Sequence, residues 1–294
     1  MTPEASMPIL QDALTRLELR PELGGAIANW TLRDGGAPLL RHAGEQALAA
    51  GTPRRLGCFA LVPWSNRITE GGFANPSAWL ALTPPPGEAL PIHGSAWHQA
   101  WTLLAHDPSS ALLVLDSAEP FPYRAEQRLS LRDGCLSLSL QVEHRGAEAA
   151  WYGLGLHPYF PRTAATRLEI GAEAVWLCGD DRLPNELAPL PPAWDFARER
   201  TLPDSEVDNA FAGWNGRCRI VQPDLGYVLD CQASHCGHYM LFCPSGRDFF
   251  CVEPVSHPPN AHHLPGRPGL RLLKPGQRLR LDWHMTCRPL TTRP

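Results

Sequence analysis

An all-β fold of mostly antiparallel strands is predicted by three observations on the 294-residue sequence. Hairpin signals recur from one end of the chain to the other, helical periodicity is scarce, and one run alternates cleanly. In that run Leu136, Leu138, Leu140 and Val142 face one way while Ser137, Ser139 and Gln141 face the other, the mark of a half-buried antiparallel strand. The 31 prolines and 25 glycines are spread throughout, which suits a loop-rich β protein rather than a disordered one. Length alone allows two domains, but β-sandwiches of this size are often one piece, and residues 1–294 are expected to form a single domain.

Taken in order, Thr31-Leu32-Arg33 leads through Asp34-Gly35-Gly36 to Leu39-Leu40 as a first hairpin. The best helical candidate is the short stretch Glu45 to Ala50, closed by Gly51 and Pro53. Leu129 to Leu131 turns at Asp133-Gly134 into the alternating run, and Trp151 to Phe160 reads as a further strand. Pro184 to Pro203, rich in proline and charge, reads as a long surface loop, because strand patterns resume after it. Cys218 to Val221 turns at Gln222 to Gly226 into Tyr227 to Asp230, and Leu270 to Leu273 turns at Lys274 to Gln277 into Leu279 to Trp283. Strands on both sides of the proline-rich stretch, without alternating helices, favour one large antiparallel sandwich.

The formal net charge of -4, with scattered Lys and Arg, gives no nucleic-acid footprint. No apolar run is long enough to span a bilayer, and Met1 to Pro8 lacks the basic start and apolar centre of a secretory signal. Nine cysteines cannot all pair and follow no regular framework, so reduced thiols and a cytoplasmic location are expected.

Several segments carry candidate chemistry. On a strand over Trp151–Phe160, Tyr152, Leu154, Leu156 and Phe160 share a core face, while Gly153, Gly155 and His157 share the other, leaving room beside an imidazole for something flat. The bland alternative is a crowded sheet crossing with His157 a hydrogen-bonded core residue. Asn66-Arg67 offers an amide and a planar five-donor fork for hydroxyl oxygens, or else a surface ion pair. His93-Gly94 is a weaker signal, since a histidine at a turn is usually solvated. Asp208, between Val207 and Ala210-Phe211, is either drawn partly inward or part of a simple turn. Glu253 ends the apolar run Phe249 to Val252 just before Pro254, where an ionised carboxylate is costly unless paired or lining a cavity, so its pKa is expected to rise toward the range of a general base. Cys231, His235, Cys236, His238 and the later Cys243, His257, His262 and His263 are dense enough to suggest zinc, but their spacing is not a paired Cys-x-x-Cys arrangement, and no metal is expected.

Taken together and in this order, Asn66-Arg67-Ile68, His93-Gly94, Leu156-His157-Pro158-Tyr159-Phe160, Asp208 with Phe211, and Cys251-Val252-Glu253-Pro254 resemble the aldose 1-epimerase (mutarotase) family over about Leu56 to Ala261. The resemblance implies a galactose mutarotase-like β-supersandwich with a shallow open cleft. It implies a cofactor-independent isomerase with Glu253 as general base and His157 as general acid. Arg67, His93 and Asp208, with Asn66 beside them, are implied ligands of the hydroxyls of a monosaccharide. The partner expected is an aldose, with no nucleic acid and no membrane, and the chain is expected to be a monomer or homodimer. Leu156, Ser95 and Asn209 stand where the galactose-acting branch commonly has Asn, Gly and His, and His93-Gly94-Ser95-Ala96-Trp97 with Trp101 is similar to a less characterised bacterial branch. A branch acting on hexose 6-phosphates holds phosphate with arginines, for which Arg54, Arg55, Arg124 and Arg128 are the candidates. Trp64, Trp97 and Trp151 are candidates to stack on the sugar. A non-catalytic sugar-binding module on the same fold is the rival expectation.

Overall fold

The computed structural model describes residues 7–290; the Met1–Ser6 part of the leader reading lies outside them. Two large sheets dominate. The first runs in the order Ile9–Gln11, Thr15–Arg20, Ala26–Leu32, Cys58–Leu61, Gly155–Pro158, Phe249–Val255, His238–Cys243, Val207–Ala212, Ala174–Cys178 and Pro184–Ala188, with Phe160–Pro161 also pairing on Phe249–Val255. The second runs Phe196–Thr201, Arg167–Ile170, Arg217–Gln222, Tyr227–Ser234, Arg278–Pro289, Cys135–His144, Tyr123–Arg132, Ser110–Ser117 and Thr102–Asp107. Strand pairing within them is antiparallel throughout the described residues. The expected all-β, galactose mutarotase-like β-supersandwich is what the chain forms.

Period-two alternation decides which side chains enter the core between the sheets. Leu136, Leu138, Leu140 and Val142 from the second sheet meet Leu156, Phe160, Phe211, Leu241 and Val252 from the first. The opposite face of the first sheet carries a smaller apolar cluster that includes Phe59, Leu61, Tyr159, Ala210, Met240, Cys251 and Val255. His157 and Glu253 project from that outer face. The short helix Glu45–Ala49 forms where expected, with Gly51 at φ 63° just after it.

Three expectations are corrected. Pro184 to Pro203 is not a structureless loop: it supplies Pro184–Ala188 at one edge of the first sheet and Phe196–Thr201 at one edge of the second. Edge strands tolerate proline because one side of the ladder is unpaired, and that makes such a stretch look like a loop in sequence. Arg271–Leu273 pairs with Ala150–Tyr152, and Arg278–Pro289 pairs with Cys135–His144 and Tyr227–Ser234, so the turn between them does not close a hairpin. Finally, Trp151 to Phe160 is broken at Gly153-Leu154, its first part belonging to the small sheet with Arg271–Leu273.

Candidate active site

The site is assembled by register. His157 stands opposite Phe59 on the neighbouring strand, and Gly155 opposite Val255 sets the same strand against Phe249–Val255. Two residues further along, that antiparallel register places His157 beside Glu253, and Glu253 in turn stands opposite Met240. The imidazole Nε2 and the carboxylate Oε1 are 3.5 Å apart. Glu253 does not end its strand, as Pro254 suggested, but sits inside Phe249–Val255. The proline is accommodated because pairing toward the His157 strand is reduced to the single Gly155–Val255 pair. Asp208 is likewise in a strand rather than a turn, opposite Phe242, which faces Cys251.

Asn66 and His93 come from two loop segments linked to each other. Asn66 at φ 60° and His93 at φ 64° are left-handed, a conformation asparagine and histidine adopt more readily than most residues. The Asn66 backbone N–H donates to His93 Nδ1 at 3.1 Å, and the His93 N–H donates to the Asn66 carbonyl at 3.0 Å. An Nδ1 that accepts leaves the proton of the neutral ring on Nε2, so His93 is held as a hydrogen-bond donor. Gly94 is required beside it: at φ 68°, a Cβ there would lie 2.1 Å from the Val62 carbonyl oxygen. Arg67 donates from Nη1 to Asn66 Oδ1 at 3.4 Å. The His93 and His157 rings meet edge to face, 5.4 Å apart.

All six residues singled out by sequence therefore converge on one region. Four of them are deeply set, Glu253 being 3% exposed, Asn66 5%, His93 6% and His157 7%, while Arg67 and Asp208 are partly exposed. Burial has a direct electrostatic effect. It raises the Glu253 pKa well above the usual carboxylate range, with the Asp208 charge adding to the rise and Arg67 opposing it. It pushes His157 down to about 3, helped by the cations Arg41 and Arg54. His93 is also held far below its ordinary value by burial, with His157, Arg54 and Arg67 contributing. Of the two partners the carboxyl is thus the one that holds a proton more tightly. Glu253 Oε2 and His157 Nδ1 are both buried without a hydrogen-bond partner. Polar atoms left this way in a native protein call for a ligand or water.

Sequence reasoning missed the scaffold around the pair. Phe59 and Tyr159 stack on the His157 ring at centroid distances of 4.8 and 4.6 Å, and the Arg41 guanidinium lies 3.7 Å over the Tyr159 ring. Only Tyr159 had a signal, its place two residues after His157 on the same face. Of the three tryptophans, Trp97 is the one joined to this region, 6.0 Å from Phe59 and covered by Arg54. Trp64 instead packs on Phe73 and His262, and Trp151 lies beneath Arg267. The glycine face is corrected too: Gly153 is packed against His257 and Gly155 against Val255 and Leu61, leaving no room for a sugar ring. The arginine quartet does not assemble, since Arg124 and Arg128 lie on the other sheet, paired with Asp116 and Glu126. The dense Cys and His region from Cys231 onward forms no metal-ligating group among the described residues. A different trio, His157, Cys251 and Glu253, does bring its ligand atoms within 4.8 Å of one another. It suits a dication poorly, because Arg41, Arg54 and Arg67 act on it and burial pushes the Cys251 thiol up.

Fold and site together define a class: a mutarotase-like β-supersandwich carrying a carboxyl and an imidazole side by side on one sheet face, the equipment of an acid–base isomerase. The chain belongs to the aldose 1-epimerase family, whose model matches residues 19–286. It is 34% identical over 263 residues to the Escherichia coli K12 protein YphB, itself uncharacterised, across 84% of this chain and 89% of YphB. A solved structure from Escherichia coli K12, provisionally described as an aldose 1-epimerase, superposes with a TM-score of 0.90 at 32% identity, covering 97% of this chain and 99% of that one. The galactose mutarotase-like protein of Clostridium acetobutylicum shares the fold, with a TM-score of 0.84 at 18% identity over 96% of this chain and 95% of that one.

Proposed function

We propose that this protein interconverts the α and β anomers of an aldose by general acid–base catalysis, acting as one unit in the cytoplasm. The observation that carries this reading is the Glu253–His157 pair, 3.5 Å apart and buried, each partner keeping one unsatisfied polar atom. Opening the ring requires removal of the proton from the C1 hydroxyl and delivery of a proton to the ring oxygen as the C1–O5 bond breaks. The aldehyde then rotates about C1–C2, the O5 hydroxyl adds to its other face, and both protons return. Glu253 takes the hydroxyl proton and His157 supplies the ring oxygen, the roles reversing on closure. Because the carboxyl holds a proton more tightly than the imidazole, the single proton of the active pair passes from Glu253 to His157 before Glu253 acts as base. The one-proton inventory of the pair is the same on either side of that transfer. Arg67 and Asp208 hold sugar hydroxyls together with Asn66, and His93 donates from Nε2 to a sugar oxygen. The nine cysteines, all free, suit a reducing compartment.

The test is NMR exchange or polarimetry of pure anomers across a panel of aldoses and their 6-phosphates, with wild type, Glu253→Gln and His157→Asn. Accelerated exchange by wild type and its loss in both variants is the expected result. If wild type accelerates none of them, the chain is better described as a sugar-binding module; if Glu253→Gln keeps full rate, the base assignment is wrong.

A further inference from the structure

The Ala174–Cys178 and Pro184–Ala188 strands form an antiparallel hairpin at the margin of the first sheet, and its tip carries a guanidinium into the site region. Arg182 sits at φ 60° in that tip, its N–H donating to the Gly179 carbonyl at 2.9 Å, while Asp181 Oδ1 accepts the Leu183 N–H at 3.0 Å. From there Arg182 Nη1 donates to Asp208 Oδ2 at 2.6 Å and Nη2 donates to Glu206 Oε1 at 2.6 Å. Asp208 is the less exposed of the two carboxylates, its side chain 15% exposed against 47% for Glu206. One guanidinium therefore spans both carboxylates and reserves Oδ2 of the one that lies toward Glu253.

We propose that Arg182 is a positioning residue of this site: it grips Asp208 Oδ2 so that Oδ1 is presented to a sugar hydroxyl, and it compensates the Asp208 charge beside Glu253. The inference rests on the reading of Asp208 as a sugar ligand. Its physical basis is a charge-assisted contact of good geometry, which fixes an acceptor far better than a solvated carboxylate would be fixed. Compensation matters because Asp208 is the main charge opposing ionisation of Glu253, and Arg67 is the cation favouring it. The other titratable groups facing Glu253 are His157 from Gly155–Pro158, Cys58 from Cys58–Leu61, Cys251 on its own strand and Tyr159. None of these is a cation in the free site, so without Arg182 only Arg67, with the more remote Arg41 and Arg54, offsets Asp208.

The test compares wild type, Arg182→Ala, Arg182→Lys and Glu206→Gln in the full chain. The titration of Glu253 is followed by its carboxyl carbon resonance in glutamate-labelled protein, assigned by the signal that Glu253→Gln removes. In Arg182→Ala the midpoint moves up by about one pH unit, and KM for the best aldose rises about tenfold with kcat at the pH optimum little changed. Arg182→Lys restores the titration midpoint but not KM, because a point charge replaces the two-pronged grip. Glu206→Gln leaves both near wild type. A Glu253 midpoint and KM both unchanged in Arg182→Ala overturn the proposal, as does full restoration of KM by lysine. If wild type turns over no aldose, the epimerase reading fails on its own, and the resonance shift still decides whether Arg182 tunes Glu253.

Discussion

Gly153→Ala separates two accounts of the glycines beside His157. A Cβ at position 153 would lie 2.0 Å from His257 Cδ2, 2.3 Å from its Nε2 and 3.1 Å from Ser256 Oγ. Carbon atoms in contact prefer about 3.5 Å or more, so the ring would have to retreat by roughly 1.5 Å. It cannot do so freely. His257 is buried, its Nε2 accepts the Ser65 N–H at 3.1 Å, and its other nitrogen lies 2.8 Å from the Pro258 carbonyl oxygen. Overpacking costs about 1–3 kcal/mol and loss of a buried hydrogen bond about 1 kcal/mol, against a gain of about 0.4–1 kcal/mol from stiffening the unfolded chain. The expected net loss is therefore about 1–3.5 kcal/mol, read as a lower urea midpoint and a melting temperature lower by roughly 2–10 °C. The shift propagates through Ser65 to Asn66 and Arg67, so a weaker KM accompanies it. Stability within about 0.5 kcal/mol of wild type, with KM alone raised, would refute this reasoning and return the glycine face to the role of a sugar seat.

Gly155→Ala should cost less, about 1 kcal/mol, because its Cβ approaches less closely, meeting Val255 Cγ1 at 2.8 Å, Leu61 Cδ1 at 3.0 Å and the Pro254 carbonyl oxygen at 3.2 Å; a larger loss by urea denaturation than for Gly153→Ala would contradict the contact argument. Glu253→Gln and His157→Asn should each slow anomer exchange by ~10²–10⁴-fold, and wild-type kcat/KM should fall as pH rises through the raised Glu253 pKa, where the pair loses its single proton, a limb that Glu253→Gln removes. His157 also bears on stability. Its folded pKa of about 3 lies below the ordinary 6.5, so between those values the unfolded chain takes up a proton that the folded one does not, and stability falls with pH. At pH 5 this amounts to about 2 kcal/mol relative to pH 7 or above; His257, pushed down to about 4, acts in the same direction. His157→Asn should shrink the difference between urea midpoints at pH 7 and pH 5, and an unchanged difference would count against a neutral buried imidazole. His93→Gln should raise KM more than it lowers kcat in steady-state exchange kinetics, since it removes a donor to the substrate rather than a proton carrier.

The parts of the fold that were legible in the sequence are those where one face is core and the other solvent. Leu136 to Val142 is buried at every second position, and Asp133-Gly134, at φ 52° and 75°, turns into it as the hairpin signal required. Edge strands were not legible, because Pro184 suits an edge and a loop equally well in sequence, and Pro191 and Pro192 between the two strands read as loop. Within the site, the adjacent Glu253 and His157 were legible because a buried Glu and His are costly and so conspicuous. The groups that tune them were not: Arg41, Arg54 and Arg182 are ordinary surface arginines in sequence, and only the folded chain shows that two of them act on His157 and the third on Asp208. The glycines misled for a related reason, since a missing side chain marks a close approach without saying what approaches.

The proposed acid and base stand on adjoining strands, two residues along from the Gly155–Val255 pair, so their separation is gauged by the interval between neighbouring chains of the sheet, about 4.8 Å, and not by any loop. If the pair works as proposed, the rim around Asn66, His93 and the Arg182 hairpin can be altered while the gap between the two groups stays constant. A slip of either strand by a single residue would turn its reactive group to the opposite side. On the proposed reading such a slip abolishes proton transfer at once, whereas changes at the rim act on the choice of sugar by small steps.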